Sequence, residues 1–455
     1  VDDQNTFDLL KRVETTGLFQ LESRGMRSLI RQMQIDSFED IVTILALFRP
    51  GPMENIPSYL KRRFNEEDVT YPHKILEEIL KPTNGIIIYQ EQIIKIANLF
   101  AGYSFGEADL LRRAVSKKQE DVLMKERSNF VKKAKQNGHD EVLSNEIYDY
   151  IVKFANYGFN RAHSVAYAMV SYWMAYLKAN YPKYFISVLT SSVIGSEVQM
   201  KNYIFEANKL GVRVLKPSVN KSTYIFNPED SDLRYPLLGI KNLGLSTVKK
   251  LLEERDKGPY KSYIDFVMRN GSSVNKRAVE YLVYSGAFDE FGLSKKTLIT
   301  KYDDVISFVN YGNFIDSKDF VLQNIDEYSY SELEEFEKLA LGFNLSMNPI
   351  IEHRDYIKKH NLLTPSTIGN SKTKVNVRVV GVLSEIKKIK TKKQDDMAFL
   401  VIDDEFNKVD CVLFPQVYNE VSSILIKGNV YLFMATIEER NNNLQLVIHK
   451  VHNLT

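Results

Sequence analysis

Lys374-Val-Asn-Val-Arg-Val-Val380 alternates apolar and polar residues, and with it the chain changes from a helical period to a period of two. Four runs of the same kind follow: Met397-Ala-Phe-Leu-Val-Ile402, Lys408-Val-Asp-Cys-Val-Leu-Phe414, Asn429-Val-Tyr-Leu-Phe433 and Leu444-Gln-Leu-Val-Ile448. Five strands, with Gly381 early in the set and a helix expected over residues 416–425, predict a small Greek-key barrel of the OB type. Between the first two strands, Glu385-Ile-Lys-Lys-Ile-Lys-Thr-Lys-Lys393 reads as a basic hairpin. Basic loops beside an OB face follow single-stranded nucleic acid, so Lys388, Lys390, Lys392 and Lys393 are candidate DNA contacts; a solvated hairpin tip is the plain alternative.

Upstream of the barrel the pattern differs. Residues 1 to about 205 read as mostly helical, broken at Arg49-Pro-Gly-Pro52, Tyr71-Pro-His73, Lys81-Pro-Thr-Asn-Gly85 and Tyr181-Pro182. Asp2-Asp3-Gln4-Asn5 reads as a helix start, and Gln90–Phe100 as an amphipathic helix that follows a strand-like Ile86-Ile-Ile-Ile-Tyr89. Tyr157-Gly-Phe-Asn-Arg-Ala-His-Ser164 opens a long helix, where free N–H groups and the dipole favour a phosphate; Asn160 or Ser164 acting only as an N-cap is the plain reading. Val165, Met169, Tyr172 and Tyr176, flanked by Ala166, Val170, Trp173 and Leu177, predict a helix buried on most sides, with its aromatics in the core. Gly106–Lys118 is expected to bury Leu110, Leu111 and Ala114, and to present Arg112, Arg113, Lys117 and Lys118 as a basic face. Such a face can clamp a polyphosphate or track a nucleic-acid backbone, or it can be solvated, with Asp109 and Arg113 as a surface pair.

Between helical region and barrel, Gly211–Leu215 and Ser222–Phe226 look like short strands, and residues 236–290 like two short helix pairs. Leu238-Gly-Ile-Lys-Asn-Leu-Gly-Leu-Ser-Thr-Val248 has the form of a helix-hairpin-helix, which binds DNA without reading sequence. Lys241, Asn242 and Gly244 are its candidate contacts, and Lys276 and Arg277 those of a second, degenerate copy. Residues 300–345 read as a tyrosine- and acid-rich helical connector.

The composition limits what else the chain can be. Its 455 residues are 44% hydrophobic and 26% charged, as in an ordinary globular protein of two to four domains. The net charge of +2 requires any nucleic-acid site to come from local clustering. One cysteine, Cys411, excludes a disulfide framework and fits a reducing compartment such as the cytoplasm. No apolar run approaches a membrane span. Asp403, Asp404 and Asp410 invite a two-metal reading, but their place at a strand end and its turn explains them, and no metal or catalytic residue is assigned.

The quoted stretches together resemble the α subunit of bacterial DNA polymerase III, a C-family replicase. Thr15-Thr-Gly-Leu-Phe-Gln-Leu-Glu-Ser-Arg-Gly-Met26, Leu47-Phe-Arg-Pro-Gly-Pro-Met53, Gly85-Ile-Ile-Ile-Tyr-Gln-Glu-Gln92, Gly106-Glu-Ala-Asp-Leu-Leu-Arg-Arg113 and Tyr157–Ser164 are similar to that family's fingers motifs, in its order. Gly381-Val-Leu383, Lys390–Lys393 and Met397-Ala-Phe399 resemble its OB domain. The resemblance implies fingers over 1–208, short strands with tandem helix-hairpin-helix over 209–299, a connector with a clamp-binding segment over 300–345, and an OB domain over 346–455. It further implies that Arg112 and Arg113 grip the incoming dNTP, with Arg161 and His163 near it, and that the hairpins hold the product duplex of primer-template DNA. Arg161 stands where many relatives have Lys. The β sliding clamp would meet Phe320 and Leu322, although Lys318-Asp-Phe-Val-Leu322 lacks the glutamine usual in that peptide. Other holoenzyme subunits are implied partners. Catalytic Mg²⁺ is implied to belong to a palm preceding residue 1, so the chain alone is expected to be inactive. The alternative is a non-catalytic DNA-binding scaffold with helix-hairpin-helix and OB modules.

Overall fold

The computed structural model describes residues 1–116, 120–155, 158–271, 273–311, 321–346, 348–370, 373–391, 393–404, 406–440 and 443–454. The chain divides into two compact units, Val1–Phe185 and Ile186–Thr455.

The first unit is helical: α1 (Gln4–Lys11), α2 (Arg24–Met33), α3 (Phe38–Leu47), α4 (Ile56–Arg63), α5 (Lys74–Leu80), α6 (Gln90–Ala101), α7 (Phe105–Ser116), α8 (Glu120–Gln136), α9 (Glu141–Ala155) and α10 (Arg161–Asn180). As the sequence predicts, Asp3 caps α1 by accepting from Thr6 N–H. α6 also forms as expected, but Ile86–Ile88 do not make a regular strand. They run extended, joined to Phe159 by a single bridge at Tyr89. The buried Gln92 carboxamide holds this run in place. It accepts from Ile88 N–H and Tyr89 N–H, both at 2.9 Å, and donates to Ile79 O and Thr83 Oγ1.

Two expectations about buried faces are corrected. On α7, Leu111 is buried with Ala108 and Val115, whereas Leu110 is 66% exposed and Ala114 half-buried. On α10 the buried positions are Ser164, Ala168, Ser171, Tyr172, Ala175 and Lys178. Trp173 is 58% exposed, and Val170 and Leu177 are exposed beside it. Trp173 and Leu177 therefore point away from the core, while Tyr172 stays in it and Val165, Met174 and Tyr176 pack against it. The reason is packing distance: a face of Ser and Ala lets α10 lie close against the apolar α3, where Ser164 Oγ donates to Val42 O at 2.6 Å.

α11 (Pro182–Ser191) contains the boundary between the units. The second unit continues with α12 (Glu197–Lys209) and a small sheet of β1 (Val214–Leu215), β2 (Asn227–Glu229) and β3 (Asp232–Arg234), in order β1-β3-β2. Residues 222–226, expected to be a strand, are irregular: Ser222 Oγ donates to Tyr235 O, and the β2–β3 hairpin forms after them, turning at Asp230 in the left-handed region (φ 52). Short helices follow: α13 (Leu245–Asp256), α14 (Tyr263–Asn270), α15 (Lys276–Tyr284), α16 (Lys295–Thr300), α17 (Tyr302–Tyr311), α18 (Tyr330–Leu341) and α19 (Arg354–Lys359).

The C-terminal barrel forms as the period-two pattern predicts. Its strands are β4 (Asn376–Lys390), β5 (Asp396–Asp403), β6 (Lys408–Leu413), β7 (Val430–Arg440) and β8 (Asn443–Asn453), with α20 (Pro415–Val421) packed on β5. They close in the order β4-β5-β6-β8-β7. Closure depends on β4: residues 376–382 pair with β7 and residues 382–390 with β5, with a register shift between Leu383 and Glu385. The basic run is thus mostly strand rather than loop, since Lys388 pairs with Ala398 and Lys390 with Asp396.

Candidate nucleic-acid interface

The N-terminus of α10 is closed by the chain's own acceptors. Asn160 Oδ1 accepts from His163 N–H at 2.7 Å, and the Glu91 carboxylate accepts from Arg161 N–H at 3.1 Å. The N-cap reading of this turn is thus realised, and the position where a helix attracts negative charge is taken by the chain's own carboxylate. The Arg161 guanidinium donates to Glu39 at 2.9 Å. On α7, Asp109 serves both arginines, at 2.8 Å from Arg112 Nη2 and 2.8 Å from Arg113 Nη2. Arg112 then Arg113 hold the Asp109 carboxyl below its usual range. The two arginines differ in access: the Arg112 side chain is 17% exposed and that of Arg113 64%. Lys117 and Lys118 lie outside the described residues.

Beside His163 opens a cavity of about 590 Å³ lined by Gln20, Met26, Phe48, Arg49, Phe159 and Tyr167, among others. Arg49 comes from the break between α3 and α4, so its sequence context reads as turn punctuation. Its guanidinium carbon lies 3.8 Å from the centre of the Phe159 ring. Burial pulls its pKa below the ordinary arginine value. In the sequence Arg49 stands in a chain break and in the Leu47–Met53 motif with no role of its own; its signal is an arginine immediately before Pro50-Gly-Pro52.

In the first helix-hairpin-helix copy, Gly239 and Gly244 have different reasons to be glycine. A Cβ on Gly239 would sit 2.8 Å from the Tyr235 ring, which is a packing requirement. Gly244 faces open space and caps α13 without a side-chain hydrogen bond. The first N–H groups of α13 are therefore not taken by a cap side chain, and Asn242 turns the chain into them in the left-handed region (φ 62). Lys241 is tied to Glu197 of α12 at 2.5 Å. The second copy is less open. Asn275 Oδ1 caps α15 by accepting from Ala278 N–H, and Lys276 pairs with Asp303 at 2.8 Å; Arg277 is exposed beside Tyr281.

In the barrel, Lys388, Lys390 and Lys393 are exposed, with Lys390 held loosely 3.8 Å from Asp396. Register places Phe399 between Lys387 and Val412, on the opposite face from the buried Leu400 and Cys411. Lys392 and Phe320 lie outside the described residues, and Leu322 is half-buried in an irregular stretch. The Asp404 carboxylate is filled by Ser366, Phe406 and Asn407 donors, in keeping with a turn. Among the described residues no group of three or more His, Cys, Asp or Glu could hold a metal ion, and no helix is long and apolar enough to cross a membrane.

The similarities of the chain run in the same order as its parts. A family model for the bacterial DNA polymerase III alpha subunit finger domain matches residues 1–138. A helix-hairpin-helix motif matches 211–298, and an OB-fold nucleic acid binding domain matches 377–454. DNA polymerase III subunit alpha of Bacillus subtilis (strain 168) is 41% identical over 98% of this chain and 41% of its own length. The subunits of Staphylococcus aureus (strain MSSA476) and Staphylococcus epidermidis (strain ATCC 12228) are 39% and 40% identical over 100% and 99% of the chain. The chain belongs to the bacterial DNA polymerase III α-subunit family. It spans about two fifths of the length of these relatives. For this α-subunit segment, the fingers model covers α1 to α8, including Arg49, Arg112 and Arg113, and stops short of Arg161.

Proposed function

We propose that the chain is the fingers, helix-hairpin-helix and OB part of a replicative DNA polymerase that copies a template from dNTPs. The observation that carries this reading is 41% identity to a DNA polymerase III α subunit along 98% of the chain. Residues 1–208 receive the incoming dNTP through Arg112, Arg113, Arg161 and His163. Residues 209–299 hold the primer-template duplex through Lys241, Asn242, Gly244, Lys276 and Arg277. Residues 300–345 reach the sliding clamp through Phe320 and Leu322, and 346–455 follow the template strand through Lys388, Lys390, Lys392 and Lys393, with Lys117 and Lys118 adding to the DNA surface. The chain works in the cytoplasm with the other holoenzyme subunits.

The ion pairs at the proposed dNTP site suit exchange. Glu39–Arg161 and Asp109–Arg113 are largely exposed, and such pairs are worth about 0–1 kcal/mol, little against a triphosphate's charge. Catalytic Mg²⁺ is assigned to palm aspartates elsewhere in the α subunit, where two metal ions would stabilise the attacking and leaving oxygens.

Fluorescence anisotropy with labelled primer-template across a salt series tests the reading. Affinity is expected to fall on a log–log plot with a slope of about −0.9 per phosphate neutralised. Absence of binding at low salt would remove the proposed DNA surface. With Mg²⁺ and dNTPs the chain alone is expected to extend no primer, and extension above background would overturn the assignment of the metal site. Clamp affinity should drop in a Phe320→Ala, Leu322→Ala double variant.

A further inference from the structure

Two histidines of the helical unit meet on one buried ring. His139, in the turn between α8 and α9, lies flat on Phe100 of α6, with ring centres 3.9 Å apart and planes 13° apart. His73, just before α5, meets His139 edge to face at 5.0 Å and Phe100 at 5.5 Å. Phe100 is fully buried and nearly parallel to Phe130 of α8, with centres 6.1 Å apart. The start of α5, the end of α6 and the α8–α9 turn are thus joined through two imidazoles, each half-buried. Neither histidine is among the proposed dNTP or DNA contacts.

The surroundings favour neutral rings. His73 Nδ1 accepts from Ile75 N–H at 3.2 Å and so caps α5. A proton on Nδ1 would remove that acceptor and set a positive charge beside the free N–H groups of the first turn. His139 is held by its backbone N–H on Ala134 O at 3.0 Å and by its ring face on Phe100. Burial, and then His73 beside it, pull the His139 pKa below the ordinary histidine value, while Asp140 opposes them. Asp140 is already engaged, since its Oδ1 accepts from Leu143 N–H at 3.0 Å in the first turn of α9. Of the cations near the end of α8, Lys133 is held by Glu107 and Lys135 by Glu141, each at 2.8 Å. From α6 the pair meets only the uncharged Phe100 ring. Two imidazolium ions at this separation would repel each other, with a single carboxylate to offset them.

We propose that His73 and His139 form an acid-sensitive pin: uncharged, they hold the start of α5 and the α8–α9 turn on Phe100; protonated, they repel each other and free both. An imidazole whose folded-state pKa lies below its unfolded value of about 6.5 contributes stability that is complete above that value and lost as pH falls through the folded one. The pin is therefore closed at neutral pH and weakens below about pH 6.5, where carboxylates are still charged.

Hydrogen exchange of the 455-residue chain at about pH 7.5 and about pH 5.5, either side of the ordinary histidine value, tests the pin once the intrinsic pH dependence of exchange is removed. Each proton taken up on opening raises the opening constant by up to about tenfold per pH unit, so wild-type protection over residues 75–80 and 134–143 is expected to fall about fivefold or more. Protection over α2 should stay constant. His139→Phe keeps a ring on Phe100 without a titrating nitrogen, and His73→Asn keeps a cap acceptor that cannot be protonated. Each variant should lose part of the pH dependence, and the double variant nearly all of it. An equal fall in wild type and double variant overturns the pin. So does a gain of protection on acidification, which would mean that the Phe100 face stabilises the imidazolium. An equal fall over α2 and the pinned segments would be global unfolding and would also overturn it. Should the double variant not fold, His139→Phe alone decides, and retention of the full wild-type fall rejects the proposal.

Discussion

Single side chains hold the fingers unit together by satisfying backbone groups that burial would otherwise strand. Gln92 is the clearest case, with two N–H donors on its oxygen and two acceptors on its nitrogen. Gln92→Leu keeps the volume and loses all four, so it is expected to destabilise by about 3 kcal/mol or more, at roughly 1–3 kcal/mol per stranded group. A urea midpoint equal to wild type would contradict this. Lys178 acts similarly: fully buried, it donates to Glu14 O and Thr16 O at 2.8 Å each, while Ser171 Oγ donates to Phe19 O. Together they fix the 14–19 segment that carries Phe19. Lys178→Met should cost about 2 kcal/mol and speed amide exchange over 14–18; unchanged exchange would show that other contacts hold the segment.

At the scale of elements, two places tie local geometry to sequence. Gly25 opens α2 directly beneath Phe48, and a Cβ there would lie 2.5 Å from the tip of that ring. Gly25→Ala is therefore expected to cost about 1–3 kcal/mol through overpacking, and Phe48→Leu should restore part of it. Two additive losses in the double variant would mean that the ring is not the obstacle. In the small sheet, Arg234 on β3 forks onto both oxygens of Glu229 on β2 at 2.7 Å each. Arg234 first, and Lys221 after it, pull Glu229 from 4.5 to about 2 against the opposing effect of burial. A depressed folded-state pKa gives stability that is complete above the unfolded value and lost as pH falls through the folded one. The contribution should thus fade between about pH 5 and pH 2, and Glu229→Gln should flatten that part of the stability profile. An unaltered acid limb in the variant would refute it.

Across the whole molecule, a nearly balanced charge coexists with local basic sites, and most of those sites are already paired within the chain. Lys241, Lys276, Arg113 and Arg161 each meet an acid, whereas Arg49 meets none among the described residues. DNA binding by the chain should therefore release protein ion pairs as well as counterions. Weak surface pairs make that exchange inexpensive, so Glu39→Gln is expected to raise affinity for dNTP or DNA by a few fold, less than about 1 kcal/mol. No change in either titration would show that Arg161 does not reach the ligand.

The period-two runs, with Gly381 and the helix after the third strand, predicted the barrel, because alternation fixes which face of each strand is buried. Motif order likewise determined the family, and cap residues such as Asp3 and Asn160 marked helix starts through local hydrogen bonds. Tertiary structure decided what local pattern could not. It placed the small face of α10, not Trp173, against α3, since close packing outweighs the size of individual apolar side chains. It left residues 222–226 irregular, formed the β2–β3 hairpin about Asp230, and absorbed the basic run into β4. It also paired Arg161 with Glu39 from a distant helix and left Arg49 without an ion pair among the described residues, which no local spacing shows, whereas the Asp109–Arg113 pair was legible from its position on one helical stripe.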